Sequence, residues 1–367
     1  MSQPVKLAVV GVGRIGRYHA RHIQELGRES ADRGDRACEL VAVADHGGDT
    51  AARVAAALQP DQEQEIQTFA GAADLASAGV AEAAVIASST ESHAADARLL
   101  IDAGMRVLLE KPLTDSLEHA RELVGYLEAD QSRRQALMLA FMRRFDEPLQ
   151  WVKQTIEGGR IGRPFKMVTC LEDNMPPPAG YDSPGILTDM GVHLTDESMW
   201  LMDARPESVK SFGSLTYSHR ISAVNEDYDD AFLQMWFADG QIAQLQVSRN
   251  HVAGYRNEVW VYGEEGMVHG GLFAEDPLSV RVEAFAPSGL IERKTYTMPD
   301  NGSDAPFFIQ RFGPAYKRDV EHFVGQCRNG QPFSVDQLDG LRAMEVVAAG
   351  TVAISAPSEA VSVDYLP

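Results

Sequence analysis

Short apolar runs alternate with helical patterns over roughly the first 140 residues of this chain. Continuous apolar strands separated by helices are typical of a parallel sheet that is buried on both faces. The sequence therefore predicts a doubly wound α/β domain. The expected strands are Val5–Val10, Glu39–Ala44, Ile66–Phe69, Ala83–Ser88, Arg106–Leu109 and Ala136–Phe141, and the expected helices are Ile15–Leu26, Thr50–Leu58, Glu91–Ala103 and Ser116–Ala129.

The rest of the chain follows a different pattern, and we place the boundary between residues 142 and 143. From Ser208 to Thr297 nearly every segment is strand or turn, with a hairpin turn at Ala238-Asp-Gly240. We expect residues 143–367 to form an α+β domain with a large, mostly antiparallel open sheet. Whether its C-terminal helices pack back on the first domain is left open. Its expected helices are Pro148–Glu157, Leu187–Met202, Ala315–Arg328 and Gln337–Ser355, with an early strand at Phe165–Leu171.

Charge and composition narrow the class of partner. The formal net charge is −20, which repels phosphate backbones and anionic lipid headgroups, so we expect neither nucleic acid nor membrane as a partner. The apolar run Leu7–Val10 is too short for a signal segment or a membrane span, and we therefore expect a cytoplasmic protein. Three cysteines make neither a disulfide framework nor a C-x-x-C metal site. A small-molecule ligand is favoured.

A glycine-rich motif directly follows the first expected strand. Gly11-Val-Gly13-Arg14-Ile15-Gly16 has the G-x-G-x-x-G spacing and opens a helical pattern. Its glycines allow a tight turn, close approach of the backbone to a pyrophosphate, and close packing of helix on strand. The backbone N–H groups at the helix start then hold the phosphates. We expect a dinucleotide there.

Asp45 ends the second expected strand. A carboxylate there accepts hydrogen bonds from ribose hydroxyls and repels a 2′-phosphate, which favours NAD over NADP, and no adjacent arginine is evident. Asp45 lies further from Gly11 than the usual spacing of about 20 residues, and we assign the excess to a surface loop at Gly27–Arg36. The alternative for Asp45 is a turn or capping aspartate before His46.

Four further segments resemble the Gfo/Idh/MocA family of glucose–fructose oxidoreductases and inositol 2-dehydrogenases. They are Ala87-Ser88-Ser89-Thr90-Glu91-Ser92-His93, Leu109-Glu110-Lys111-Pro112-Leu113, Phe141-Met-Arg-Arg-Phe-Asp146 and Gly185-Ile-Leu-Thr-Asp189-Met-Gly-Val-His193. The resemblance covers residues 5–200 and implies an NAD-dependent enzyme that oxidises a ring hydroxyl of a sugar, glycoside or cyclic polyol. It adds Ser88, Ser89, Thr90, His93, Glu110 and Lys111 to the expected cofactor site.

Lys111, Asp189 and His193 are the expected catalytic residues. Lys111 follows a parallel strand at its C-terminal end, where doubly wound sheets bind ligands. Asp189 and His193 are four residues apart, so on a helix they share a face and the carboxylate can orient the imidazole as a general base. We expect Lys111 to stabilise the substrate oxygen. A metal site that adds Glu172 or Asp173 to the Asp–His pair is the alternative, and we do not favour it because hydride transfer to NAD needs no metal.

Other expected substrate contacts are less specific to the family pattern. Arg143 and Tyr255 are assigned to the substrate pocket, although an arginine near a domain boundary also suits a salt bridge. Asn174 is assigned with them, and the segment Leu171-Glu-Asp-Asn174 lacks the histidine that inositol enzymes tend to have two residues before the asparagine. The loop 174–182 also departs from the inositol pattern. A pyranose or glycoside oxidised at a ring carbon is therefore as compatible with the sequence as inositol.

Three functions stay open at this point. The first is a reversible NAD-dependent dehydrogenase. The second is an enzyme with tightly held NAD that oxidises and re-reduces a sugar within one cycle. The third is a non-catalytic sugar sensor, which the presence of Lys111, Asp189 and His193 disfavours. We also expect a homo-oligomer, a tetramer or dimer assembled through the broad C-terminal sheet, because that sheet is larger than one small pocket requires.

Overall fold

The computed structural model describes residues 3–62, 64–174, 183–215, 227–251, 253–272, 278–300 and 305–366. The chain forms two compact units, Met1–Met142 with Tyr316–Leu341, and Arg143–Ala315 with Arg342–Pro367. The first division falls between residues 142 and 143. The segment Tyr316–Leu341 belongs to the first unit, so the second expected domain, 143–367, is interrupted by residues of the first.

The first unit is built on a parallel sheet with the order β3-β2-β1-β4-β5-β6. All residues of β2, β4 and β6 are buried, which explains their uninterrupted apolar sequences. The doubly wound prediction is confirmed. The strands are β1 Val5–Val10, β2 Cys38–Ala44, β3 Gln67–Phe69, β4 Ala83–Ile86, β5 Arg106–Glu110 and β6 Leu137–Ala140. The helices are α1 Gly16–Asp32, α2 Thr50–Leu58, α3 Ala72–Ala78, α4 His93–Asp102, α5 Leu117–Glu128 and α6 Gln131–Arg134.

Helix α1 is longer than expected, so the expected surface loop at Gly27–Arg36 is wrong for residues 27–32 and holds only for residues 33–36. The helix continues to Asp32, and Gly27 and Ser30 are both buried along it. A Cβ on Gly27 would lie 2.6 Å from the carbonyl oxygen of Cys38 at the start of β2, so the glycine allows close packing there. Extra helix therefore accounts for part of the added distance between Gly11 and Asp45, because tertiary packing outweighs the low helix propensity of glycine.

The second unit is built on a nine-stranded sheet with the order β14-β13-β12-β11-β7-β10-β9-β8-β15. Only the β7–β10 pairing is parallel among the described strands, so the prediction of a mostly antiparallel sheet is confirmed. The strands are β7 Pro164–Glu172, β8 Pro206–Ser214, β9 Asp230–Phe237, β10 Ile242–Ser248, β11 Arg256–Gly263, β12 Met267–Leu272, β13 Ser279–Ala286, β14 Gly289–Thr297 and β15 Val361–Ser362.

Helices cover one face of this sheet. Helix α7, Glu147–Glu157, packs on β12 and β13, and α8, Val192–Met202, packs on β7 and β10. Strand β9 alternates buried and more exposed residues, as a sheet with one covered face requires. The last two helices are α9 Phe307–Asn329 and α10 Gln337–Ser355. Helix α9 begins earlier than expected because it continues through Pro314.

No helix in the described ranges combines the length and the apolar character that crossing a membrane requires.

Candidate active site

Each glycine of the G-x-G-x-x-G motif suits its position for a different structural reason. Gly11 adopts φ +79°, a conformation that favours glycine, directly after β1. A Cβ on Gly16 would lie 1.8 Å from the carbonyl oxygen of Gly11, so α1 can begin this close to the strand only with glycine. A Cβ on Gly13 would meet no atom of the described chain within 4 Å. Gly13 therefore leaves the backbone open to a ligand, as the motif predicts.

The start of α1 suits a phosphate group. No side chain caps this helix, and its first turn holds no acidic residue. Helix N-termini carry partial positive charge and N–H groups that favour anions. The loop residues Arg14 and Ile15 lead directly into this turn, Ile15 being the residue that precedes the helix. The residues of the first unit thus fit the pyrophosphate of a dinucleotide.

Asp45 lies at the carboxyl end of β2 and is tied to the glycine loop. Its two carboxylate oxygens accept hydrogen bonds from the backbone N–H groups of Val12, at 2.9 Å, and Gly47, at 2.8 Å. The carboxylate is therefore held beside the loop that would carry the pyrophosphate. This position is compatible with the predicted ribose contact. The hydrogen bond from Gly47 also gives Asp45 the turn role that was the alternative.

Arginines lie closer to this site than the sequence suggested. A pocket beside Gly13 is lined by Arg17 and Arg21 from α1 and by Thr50 and Arg53 from α2. Arg17 donates to the carbonyl oxygen of Gly13, and Arg53 donates to the Thr50 hydroxyl. These arginines line the pocket beside Gly13, and the expectation that none is adjacent to Asp45 stays a prediction. Helices α1 and α2 bring together residues that are distant in sequence.

The segment after β4 is organised by side-chain hydrogen bonds. The Ser88 hydroxyl donates to Asp96 at 2.7 Å, and the Ser89 hydroxyl pairs with that of Ser92 at 3.1 Å. Thr90 begins the short helical turn Thr90–Ser92. These contacts fix the loop at the carboxyl end of β4, the edge where this type of sheet binds ligands.

His93 serves the backbone near Lys111. Its imidazole is buried, and Nδ1 lies 2.9 Å from the carbonyl oxygen of Pro112. Burial lowers the pKa of His93, more than the nearby carboxylates and hydrogen bonds raise it. The neutral ring can donate its Nδ1–H to Pro112. His93 therefore contacts the Lys111-Pro112 segment, whose peptide bond is cis, and its assignment to the cofactor site stays a prediction.

A cluster of buried polar side chains lies next to the backbone of Lys111. Glu110 accepts from the Lys111 backbone N–H at 3.2 Å and pairs with Nε2 of His19 on α1 at 2.7 Å. Asp319 on α9 is fully buried, and burial, followed by the negative charge of Glu110, raises the pKa of its carboxyl. The His19–Glu110 contact joins the helix of the glycine motif to the strand that precedes Lys111.

Asp189 and His193 lie in the second unit. The expected helix Leu187–Met202 begins as a π-turn, Leu187–Gly191, and continues as α8. Asp189 is in the π-turn and His193 is in the first turn of α8. A π-turn takes more residues per turn than an α-helix, so side chains four apart stay close to one line along the axis. His193 is 7% exposed, whereas the Asp189 carboxylate keeps 18% of its surface.

Arg143 has a buried carboxylate partner, and its assignment to the substrate pocket stays a prediction. It is 2% exposed and donates through Nε, at 2.7 Å, and through Nη2 to the buried carboxylate of Glu197. Glu197 also accepts from the Thr169 hydroxyl at 2.7 Å. The next residue, Arg144, donates to the Asp196 carboxylate. Both arginines therefore form the salt bridges that were the alternative.

Tyr255 is buried, whereas Asn174 is partly exposed. The Tyr255 ring is buried and stacks on Phe307 with centroids 6.4 Å apart. Burial raises the pKa of its phenol. Asn174 follows β7 and is partly exposed. The rest of the loop 174–182, residues 175–182, lies outside the described residues.

The described ranges contain no group of three or more histidine, cysteine, aspartate or glutamate side chains arranged to hold a metal ion. Glu172, a possible third ligand from sequence, instead accepts from Gln246 at 3.1 Å and from Arg256 at 3.3 Å.

Sequence reasoning missed Arg249, which contacts Asp189. One Nη of Arg249 lies 3.2 Å from the Asp189 carboxylate, and the other lies 3.0 Å from Asp227. Arg249 directly follows β10 and is separated from Asp189 by 60 residues. The one available signal was an arginine placed at the end of a strand that is otherwise apolar on its covered face.

A doubly wound parallel sheet whose first strand leads through this glycine loop into an uncapped helix defines a dinucleotide-binding oxidoreductase. Residues 5–137 match the model of an oxidoreductase family with an NAD-binding Rossmann fold, and residues 149–269 match the C-terminal domain of the same family. The chain belongs to the Gfo/Idh/MocA family. NAD as the cofactor is thereby confirmed, whereas preference over NADP stays a prediction.

Relatives of known name match along nearly the whole chain. An inositol 2-dehydrogenase of Rhizobium meliloti (strain 1021) is 28% identical over 353 residues, 96% of this chain and 97% of the relative. A myo-inositol 2-dehydrogenase of Thermotoga maritima is 26% identical over 350 residues, 93% of each. The fold is that of a Lactobacillus casei scyllo-inositol dehydrogenase, solved with NAD(H) and scyllo-inositol, with TM-score 0.80, 22% identity, and 98% and 99% coverage.

Proposed function

We propose that this protein oxidises a ring hydroxyl of a cyclic polyol of the inositol type, or of a related sugar, to a ketone with NAD. The observation that carries the proposal is the pair Asp189 and His193 on consecutive turns at the start of a buried helix. This pair stands in a chain whose other unit is an NAD-binding Rossmann domain. The names of the relatives, inositol 2-dehydrogenases, support a cyclic polyol as the substrate class.

The cofactor is assigned to the first unit. Gly11, Gly13, Arg14, Ile15 and Gly16 would hold the pyrophosphate, and Asp45 would accept from the adenosine ribose. The rest of the bound NAD would be lined by Ser88, Ser89, Thr90, Glu110 and Lys111. His93 would lie behind these residues. When bound, NAD supplies the nicotinamide that accepts a hydride from the substrate carbon.

Acceptance of the proton from the substrate hydroxyl is assigned to residues of the second unit. His193, as a neutral imidazole, would accept the proton of the substrate hydroxyl through a ring nitrogen. Asp189 would orient the ring and stabilise the imidazolium that forms. The Lys111 ammonium would stabilise the negative charge that develops on the oxygen as the proton leaves. Asn174 and Tyr255 stay as proposed substrate contacts.

A substrate screen tests the function. The purified protein is incubated with NAD and, in turn, inositol isomers, hexoses and glycosides, while formation of reduced cofactor is followed by absorbance. We expect NAD-dependent turnover with at least one cyclic polyol or sugar. If no member of the panel yields reduced cofactor, but a sugar is converted by protein that carries bound NAD, the cycling enzyme described above replaces this proposal.

Assembly and location belong to the same proposal. We propose a homotetramer or dimer in which the uncovered face of the nine-stranded sheet contacts a second copy. That face carries neighbouring aromatic residues, since Phe212 on β8 is in register with Phe232 on β9. A cytoplasmic location is proposed with it, from the sequence alone.

A further inference from the structure

We propose that Arg249 is a positioning residue that holds the Asp189 carboxylate in place for its work on His193. The inference rests on the proposed function, because it gives His193 the role of general base. It concerns only residues of the second unit, and it starts from a buried cation that the sequence did not connect with the site.

Arg249 is 2% exposed and shares its guanidinium between two carboxylates. Nη1 lies 3.2 Å from Oδ2 of Asp189, and Nη2 lies 3.0 Å from Oδ2 of Asp227 and 2.7 Å from the Ser183 hydroxyl. A planar guanidinium with this many partners has little rotational freedom. The contact therefore fixes the position of the Asp189 carboxylate.

Asp227 anchors the same turn through the backbone. Its Oδ1 accepts from the N–H of Ile186 at 2.7 Å and from that of Tyr228 at 2.8 Å, and its Oδ2 accepts from the Ser183 hydroxyl at 2.8 Å. Ile186 immediately precedes the π-turn that carries Asp189. Arg249 thus holds the side chain of Asp189, whereas Asp227 holds the start of its turn.

We expect the charge of Arg249 to reach His193 through Asp189. With Arg249 in place, one cation faces the two carboxylates of Asp189 and Asp227. Without it, the negative charge of Asp189 is no longer balanced by this cation, which we expect to favour the imidazolium of His193. A protonated His193 cannot accept the substrate proton, so activity at low pH should fall.

Charged side chains on the neighbouring elements have other partners in the described part of the chain. They are Arg143 with Glu197, Arg144 with Asp196, Glu172 with Arg256, and Glu345 on α10 with the backbone N–H of Leu366. None of these pairs includes Arg249.

Two variants separate charge from geometry. Arg249→Lys keeps the cation and loses the planar fork, and Arg249→Met removes the cation. The pKa of His193 is measured in the protein without substrate, by NMR titration of labelled histidine, with His193→Gln used for assignment. We expect Arg249→Met to raise that pKa by about one pH unit and Arg249→Lys to leave it near the wild-type value. If Arg249→Met does not fold, Arg249→Met with Asp227→Asn removes the second buried carboxylate and is titrated instead.

Arg311 supplies the matched control. It is as buried as Arg249 and forms a bidentate pair with Asp146, at 2.6 and 2.8 Å, within the same unit. Arg311→Met should lower thermal stability as Arg249→Met does, yet leave the His193 titration unchanged. An equal His193 pKa in wild type, Arg249→Met and Arg311→Met would overturn the proposal.

Kinetics complete the test and keep the two proposals distinct. We expect Arg249→Met to lower kcat about 10- to 100-fold and to move the acid limb of kcat/KM to higher pH, with KM for NAD unchanged. A uniform loss of activity with an unmoved acid limb contradicts the positioning role. If the wild type oxidises no polyol or sugar at all, the proposed function fails, whereas the NMR titration still decides the role of Arg249.

Discussion

At the scale of single residues, His193 is the proposed acceptor of the substrate proton. Lys111 is proposed to stabilise the negative charge that develops on the substrate oxygen. His193→Ala should reduce kcat by about 10²–10⁴-fold, the usual contribution of a positioned general base, with little change in NAD affinity. Lys111→Ala should reduce kcat by a comparable factor and also loosen NAD. The double variant should lose much less than the product of the single losses, because residues that act as a unit are not additive.

Steady-state kinetics and NAD titration of wild type, both single variants and the double variant check this prediction. Near-wild-type turnover of His193→Ala across the pH range would remove His193 as the base, and Lys111 would then be the first candidate.

Asp45 is the residue that we expect to decide between NAD and NADP. Wild type should prefer NAD, because the Asp45 carboxylate would repel a 2′-phosphate. The pocket beside it already carries Arg17, Arg21 and Arg53. Asp45→Ser should therefore raise the ratio of kcat/KM for NADP over NAD by about tenfold or more, which corresponds to about 1.4 kcal/mol.

The control for Asp45 is a second substitution in the same pocket. Asp45→Ser combined with Arg53→Gln should lose most of the gain if the arginine meets the added phosphate. Kinetics with both cofactors on one substrate measure the ratio. A wild-type preference for NADP would show that Asp45 does not have the assigned role.

At the scale of elements, the contact between α1 and β1 decides whether the cofactor loop can form. The Cβ of Gly16→Ala would lie 1.8 Å from the Gly11 carbonyl oxygen, so α1 must shift. We expect a loss of about 1–3 kcal/mol in stability, as for overpacking, and weaker NAD binding. Thermal unfolding and NAD titration measure the two effects.

Gly125→Ala in α5 is the matched control for Gly16→Ala. Gly125 is exposed within a helix, and a Cβ there meets no described atom within 4 Å. Alanine should stabilise this helix by about 0.5–1 kcal/mol and leave NAD binding unchanged. Equal behaviour of the two variants would mean that the loop does not depend on close packing at Gly16.

At the scale of the whole molecule, the open face of the nine-stranded sheet is the surface expected to join copies of the chain. The exposed residues Phe212 and Phe232 are paired across β8 and β9, and Ile242 pairs with Trp236 across β10 and β9. Light scattering of the wild type should therefore give a multiple of the 40.1 kDa chain mass. Apolar surface of this kind is usually covered.

Charge placed on the same face should separate the copies. We expect Phe232→Glu to lower the mass measured at micromolar concentration, whereas Val352→Glu, on an exposed part of α10, should leave it unchanged. A wild-type protein that scatters only as a monomer would contradict the proposed assembly.

The sequence by itself determined the fold class and the cofactor motif. Buried parallel strands have continuous apolar sequences and a half-covered sheet has alternating ones, so both architectures are legible from local pattern. The reasons for Gly11, Gly13 and Gly16 also follow from short-range backbone sterics. Asp189 and His193 were recognised because their segment resembles the family pattern, and their spacing places them on a common face of one helix.

Tertiary structure decided which charges meet. Arg249 reaches Asp189 across 60 residues, Arg143 is paired with Glu197, and His19 is paired with Glu110. The π-turn at Leu187–Gly191 and the continuation of α1 through Gly27 likewise depend on packing against other elements. Contacts between residues distant in sequence leave no periodic pattern, and burial selects among the partners available to each charge. For that reason the arginine beside Asp189 became visible only in the folded chain.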